Sequence, residues 1–220
     1  MGIYGLMGAG RSELAMSIFG RSYGTNISGQ LKLNGKAVKL RKSALDAIRH
    51  RIAYVTEDRK GNGLVLSQSI KVNTTLANLK EVSTASVIDS DKEYAVGEEY
   101  VRKLKTKTPS VEQLVGNLSG GNQQKVLLAK WMFAGPDVLM LDEPTRGIDV
   151  CAKYEIYCII NDLAAAGKSV VLISSELPEV LGMSDRIYIM NEAKIVGEMK
   201  ASEATQENIM ATILRSGREA

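Results

Sequence analysis

Apolar residues recur along this chain with two distinct periods. Short continuous runs appear at Ile52-Ala53-Tyr54-Val55, Val138-Leu139-Met140-Leu141, 169–174 and 186–190, which read as strands, several of them buried on both faces. Apolar positions at helical spacing predict helices over 12–19 (Leu14, Ala15 and Ile18 inward), 43–50, 123–133, from beyond Asp149 to 165, 175–183 and 205–215. A hairpin is expected from 30–33 and 37–40, turning at Asn34-Gly35, with a return strand near 194–199. From about Ile70 to Leu118 the β-rich pattern stops. There Asn73 is expected to cap a short helix ending at Leu79, and Asp91 to open a longer one with Tyr94, Val101 and Leu104 at helical spacing. Strands alternating with helices predict a parallel α/β sheet carrying a helical insertion.

Composition narrows the partners more than the fold. At 220 residues the chain forms one domain, or a domain with a subdomain. With 28 basic and 25 acidic residues its net charge of +3 is too mild to argue for nucleic acid. Cys151 and Cys158 share one face of a predicted helix, and two thiols alone make neither a metal site nor a disulfide framework. No apolar run approaches the ~18 residues of a membrane span, and no leader pattern opens the chain. A soluble chain in a reducing compartment is expected. His50, the single histidine, reads as a surface or capping residue at a helix end.

Three stretches carry chemistry. Gly5-Leu6-Met7-Gly8-Ala9-Gly10-Arg11-Ser12 fits the phosphate-loop pattern G-x-x-x-x-G-K-[ST], except that Arg11 stands at the lysine position. Glycines let backbone N–H groups close around phosphate oxygens, and Ser12 can ligate Mg²⁺. A guanidinium is planar and fork-shaped and does not simply replace a compact ammonium between phosphates, so binding is expected to tolerate Arg11 better than hydrolysis does. Only Gly2-Ile3-Tyr4 precede the loop, against ~5–6 residues in an ordinary strand, so the front reads as clipped. The second stretch, Leu118-Ser119-Gly120-Gly121-Asn122-Gln123-Gln124, is a small-residue turn opening a helix, whose free N–H groups favour an anion. The third is Asp142-Glu143-Pro144 at the C-terminal tip of a buried strand, where open α/β sheets place ligands. Asp142 is the candidate to hold Mg²⁺, directly or through water, and Glu143 to polarise an attacking water. The polar loop 56–63 reads either as metal- or partner-facing or as a solvated connection.

In that order, the three stretches resemble the ATP-binding domain of ABC transporters. More narrowly, 118–125, 142–153 and Ser174-Ser175-Glu176-Leu177-Pro178-Glu179-Val180-Leu181 look like the second, C-terminal ATPase half of bacterial monosaccharide importers of the ribose, xylose or galactoside type. The resemblance implies a P-loop NTPase core (1–69 and 119–220), a helical subdomain (70–118) and a small antiparallel β element, with a first half preceding Met1. It implies that Gly5, Gly8, Ala9, Gly10, Arg11 and Ser12 surround ATP phosphates, and that Asp142, Ser12 and the loop at Glu57 face Mg²⁺. Glu143 would then be the general base. Ser119, Gly120, Gly121 and Gln123 would serve nucleotide bound by an opposing ATP-binding half. Implied partners are that half, a transmembrane permease subunit and, indirectly, a sugar-binding protein, at the cytoplasmic face of the inner membrane, with no nucleic acid.

This sequence departs from the family pattern at Arg11, at Glu57 where glutamine is usual, and at Ser174-Ser175 where a switch histidine is usual. The adenine-stacking aromatic, normally upstream of the loop, is not in the chain. All four departures fall on the site this domain would build itself, while the signature turn is intact. A weakly active isolated chain is therefore expected. The alternatives are a non-transport ATPase on the same fold and a catalytically inert nucleotide clamp.

Overall fold

A computed structural model describes residues 1–39 and 42–217. Its elements begin with β1 (Gly2–Gly5), α1 (Arg11–Ile18), β2 (Leu31–Leu33), β3 (Lys36–Val38), α2 (Ala44–Arg49) and β4 (Ile52–Val55). A π-helical turn (Arg59–Gly63), α3 (Ile70–Thr75), a 3-10 turn (Leu79–Val82), β5 (Ser83–Thr84), β6 (Val87–Ile88) and α4 (Ser90–Lys103) follow. After a 3-10 turn at Val115–Asn117 come α5 (Gly120–Phe133), β7 (Val138–Asp142), α6 (Val150–Ala165) and β8 (Ser169–Ser174). The described chain ends with α7 (Leu177–Met183), β9 (Arg186–Asn191), β10 (Lys194–Lys200) and α8 (Gln206–Ser216). Two compact units share these elements.

Unit 1 comprises Met1–Tyr54, Val138–Glu143 and Val170–Ala220 and is built on a six-stranded sheet of order β10-β9-β1-β8-β7-β4. β1 runs parallel to both neighbours, with Ile3 opposite Ile173 on one side and Tyr188 on the other. Short as it is, this strand is central, and the loop that follows it opens at the sheet's C-terminal edge. β10 returns antiparallel to β9. Apolar faces of α7 and α8 bury Tyr4, Val180, Ile187, Ile189, Ile209 and Ile213 in one cluster. Each fully buried aliphatic side chain there contributes roughly 1.5–3 kcal/mol. The β2–β3 hairpin turns at Asn34 and Gly35, both at positive φ as a type I′ turn requires. Leu40, the expected end of that hairpin, lies outside the described residues. His50 ends α2, its Nδ1 2.8 Å from the Asp46 carbonyl, so it is a local capping contact.

Unit 2 comprises Val55–Asp137 and Pro144–Ser169. Here α4 comes onto α3 at Gly97, where a Cβ would lie 2.9 Å from Lys71 Cβ. Ser69, not Asn73, caps α3, its hydroxyl accepting from Val72 N–H. Asn73 is fully buried inside the helix. Its side chain accepts from Val65 N–H and donates to the Val65, Gln68 and Ser69 carbonyls, so it braces the preceding loop. Likewise Asp89 caps α4 by accepting from Asp91 and Lys92 N–H, which puts Asp91 inside the first turn. The buried residues of α4 are Glu93, Gly97 and Tyr100, followed by Leu104; Tyr94 is exposed. Residues 83–88, between the two helices expected there and within a stretch where no strand was expected, form a hairpin that turns at Ala85 and Ser86, both at positive φ. Among the described residues no helix is long and apolar enough to cross a membrane.

Candidate functional site

The phosphate loop of unit 1 joins β1 to α1. Gly8 (φ +78°) and Gly10 (φ +89°) take left-handed backbone that L side chains rarely adopt, and the space where a Gly8 Cβ would stand is open. Ala9 N–H donates to the Leu6 carbonyl at 3.0 Å, and the Ala9 carbonyl accepts from Ala193 N–H at 3.1 Å, so the loop is tied to itself and to the β9–β10 turn. A Cβ on Gly5 would lie 2.5 Å from the Met190 carbonyl oxygen, so the end of β1 reaches β9 only because it is glycine.

Arg11 fills the loop rather than projecting from it. Its Nη1 donates to the carbonyls of Gly5 and, at 2.8 Å, Leu6; its Nη2 donates to Glu143 Oε1 at 3.1 Å. Both partners of this ion pair are buried, at 9% and 8% exposure. Glu143 itself sits at φ +46°, an unfavourable conformation for a glutamate that costs on the order of 1–3 kcal/mol. That bend lets Oε1 also accept from Ser175 N–H at 2.7 Å, while Glu143 N–H donates to the Ile173 carbonyl. At the position where a switch histidine is usual, the chain thus presents a backbone N–H to the carboxylate. Ser174 is buried, its hydroxyl accepting from Glu176 N–H.

Asp142 lies beside this pair at the tip of β7 and is 1% exposed. Tyr54 on β4 donates its hydroxyl to Asp142 Oδ2 at 2.6 Å, a contact that sequence reasoning missed. Its only signal was a tyrosine hydroxyl inside an otherwise apolar strand. Burial pushes the Asp142 carboxyl above the ordinary carboxylate range, opposed by the hydroxyls of Tyr54 and Ser12. Asp142 Oδ1 is buried and finds no hydrogen-bond partner among the described residues. An orphaned carboxylate oxygen near the Ser12 hydroxyl fits Mg²⁺. Among the described residues no three His, Cys, Asp or Glu side chains cluster for a metal. The ion would complete its shell with water and phosphate oxygens, as Mg²⁺ ordinarily does.

The remaining predicted residues belong to unit 2. Ser119 is exposed at the start of α5, its hydroxyl accepting from Asn122 Nδ2 at 3.0 Å instead of capping the helix. The helix starts at Gly120, three residues earlier than expected. Gly121 is buried, and a Cβ there would lie 2.6 Å from Ala152 Cβ, so α5 and α6 touch through this glycine. Gln123 faces inward and donates to the Val115 carbonyl, apart from the exposed turn. Two buried lysines anchor α5. Lys125 reaches the Lys105 carbonyl and the Glu155 carboxylate, both at 2.8 Å. Lys130 donates to the Gly63 carbonyl beside the Trp131 ring, and burial lowers its ammonium to about 8. The loop 56–63 is not an open connection. Asp58 caps its π-helical turn by accepting from Gly61 N–H, and Glu57 is ion-paired with Arg146.

Residues 1–146 match the family model described as "ABC transporter". The chain belongs to the ABC transporter family. It is similar to the L-arabinose transport ATP-binding protein AraG of Geobacillus stearothermophilus, 59% identical over 98% of this chain and 42% of that protein. The xylose import ATP-binding protein XylG of Geobacillus kaustophilus is 55% identical over 96% of this chain and 41% of its own length. A ribose import ATP-binding protein, RbsA of Clostridium perfringens, is 51% identical over 96% of this chain and 42% of its own length. The ABC chain therefore spans about two-fifths of these relatives. Solved structures agree on the fold, that of P-loop ATP-binding cassettes. A dimeric cassette in a post-hydrolysis state bound to ADP and Pi superposes with TM-score 0.76 at 18% identity, over 91% of this chain and 84% of that one. A nucleotide-free cassette from an ABC transporter gives 0.74 at 18% identity, over 97% and 83%.

Proposed function

We propose that this chain is the ATP-binding part of a bacterial ABC-type monosaccharide importer, lying at the cytoplasmic face of the inner membrane. In this reading it has two unequal roles. Its signature turn, Ser119-Gly120-Gly121, completes a nucleotide site whose phosphate loop belongs to a second ATP-binding half. Its own loop holds ATP and turns it over slowly or not at all. The names of the relatives, transporters of arabinose, xylose and ribose, support a sugar as cargo. A permease subunit docks on the helical subdomain, 70–118, the core being 1–69 and 119–220, and a separate binding protein delivers the sugar.

The carrying observation is the buried Arg11–Glu143 pair. A carboxylate that accepts from a guanidinium and a backbone N–H is a weaker base than a free one, because both contacts favour its charged form. Glu143 Oε1 already accepts from Ser175 N–H and from Arg11, and the Arg11 guanidinium is spread over two loop carbonyls rather than free to meet a phosphate. The open face at Gly8 and the start of α1 supply N–H groups to phosphates. Ser12 and Asp142 would hold Mg²⁺, which when bound supplies charge neutralisation at the phosphate oxygens. In unit 2, the exposed Ser119 hydroxyl and the positive end of α5 are directed at a γ-phosphate presented from outside.

The same ion pair favours one variant of this reading, an own site that clamps nucleotide without hydrolysis. Undiminished ATP-driven uptake by the full transporter carrying Glu143→Gln would select it. The broader proposal is tested on the purified chain with ATP and Mg²⁺. Turnover well below ~1 s⁻¹ is expected, and a rate within the ordinary enzyme range of ~1–10³ s⁻¹ contradicts it.

A further inference from the structure

Arg59 has no part in the function proposed above, yet in unit 2 its guanidinium meets both the signature turn and a second turn further along the chain. Its Nη1 donates to the Arg146 carbonyl at 2.8 Å and its Nη2 to the Gly147 carbonyl at 3.3 Å. These belong to the turn that follows Asp142-Glu143-Pro144. The same guanidinium lies against Gly120 of the signature turn. A Cβ on Gly120 would stand 2.9 Å from Arg59 Nη2 and 3.2 Å from the Gly147 carbonyl oxygen. Gly147 is itself at φ +68°, which turns its carbonyl toward this spot. Next to it, Glu57 holds the Arg146 side chain in an ion pair, so the segment around Arg59 meets the 144–149 turn twice. Arg59 Nε is buried and finds no acceptor among the described residues. The side chain is therefore placed by its two Nη contacts, at the expense of its Nε–H.

We infer that Arg59 is a positioning residue for the signature turn. It spaces Gly120 from the Arg146-Gly147 turn and so sets the direction in which Ser119 faces. A planar fork serves two successive carbonyls at once, whereas an ammonium reaches one at a time, so lysine is expected to replace it only in part. A role for the turn in nucleotide turnover rests on the proposed function; the positioning itself does not.

Two measurements separate those statements. Hydrogen exchange on the 220-residue chain is expected to accelerate at least ten-fold at the amides of 123–126 in Arg59→Ala, and about two- to five-fold in Arg59→Lys. Exchange in Gly2–Gly5 and Arg186–Asn191 should be unchanged. Unchanged exchange at 123–126 overturns the inference. So does a uniform rise across the chain, which would mean general destabilisation, or equal effects of the lysine and alanine variants. In the full parent polypeptide with its membrane partner, Arg59→Ala should lower kcat for ATP at least ten-fold with KM altered less than about two-fold, as expected for a contact made only as the site closes. Local acceleration of exchange with normal kcat would leave the positioning intact and overturn the assignment of the turn to a nucleotide site.

Discussion

The chain contains two glycine-rich turns that each open a helix, and the two have met opposite fates. In unit 1 the turn from Gly5 to Ser12 has its interior taken by its own side chain, with Arg11 on the Gly5 and Leu6 carbonyls and on Glu143. In unit 2 the turn from Ser119 to Gly121 buries only its last glycine, against Ala152, and leaves the serine exposed. Local backbone chemistry is much the same at both, since each offers the unpaired N–H groups of a helix start. What differs is the side chain that follows. A long fork-shaped cation one residue into the helix folds back onto carbonyls within reach. The second turn has no such residue next to it in sequence, and Asn122, the first polar side chain after its glycines, is spent on Ser119 and on Lys107 N–H. Whether a glycine-rich turn is open to an outside anion therefore depends on its own flanking cation as much as on its glycines.

The contrast breaks most visibly at the buried pair. Arg11→Met should destabilise the chain by about 3–5 kcal/mol, because it leaves the Glu143 charge buried and uncompensated. Arg11→Met with Glu143→Gln should recover most of that loss in the same denaturant titration. Additive losses would mean the two side chains do not form a coupled unit. A smaller effect is expected at the other turn. Gly121→Ala drives a methyl into Ala152 and should cost roughly 1–3 kcal/mol, with Ala152→Gly restoring part of it. Failure of the second change to rescue the first would place the strain elsewhere in α5.

The smallest effect belongs to Asp142. Burial raises its folded pKa above the unfolded value of 3.8, so the protonated form favours the fold and that contribution is lost as pH rises through the raised value. Asp142→Asn should therefore have the higher Tm at pH 7, with the gap closing as pH falls and absent below 3.8. A variant less stable than the parent at pH 7 would show that Tyr54 and Ser12 outweigh desolvation.

Much of this was legible from residue order. The runs at 52–55 and 138–141 and the strand expected at 169–174 became β4, β7 and β8, because short continuous apolar runs are readily buried as sheet strands. Asn34-Gly35 announced its own turn. The hairpin at 83–88 was not legible, because Ala85 and Ser86 occupy left-handed backbone that favours Asn or Gly and so carry no local signal. Asn73 misled because an asparagine near a helix start usually caps it, whereas here tertiary contacts draw it inside. At the candidate site, spacing picked out Arg11, Ser12, Asp142 and Glu143, which the fold brings together in unit 1. Tyr54 on Asp142 and Ser175 on Glu143 could not be picked out so, since those pairs are 88 and 32 residues apart and meet only once the sheet order is known. Arg11 was legible as a departure, but its inward fold on the loop carbonyls was not.

The most direct test of the contrast pairs the chain with the second ATP-binding half that the proposed function assigns to it and measures steady-state ATPase activity. Ser119→Arg, which blocks the open turn, is compared with Arg11→Met/Glu143→Gln, which abolishes the occupied one. Loss of about 10²-fold or more from Ser119→Arg is expected, in line with removal of a preorganised phosphate contact, together with a change below about three-fold from the double variant. A greater loss from the double variant than from Ser119→Arg would contradict the account.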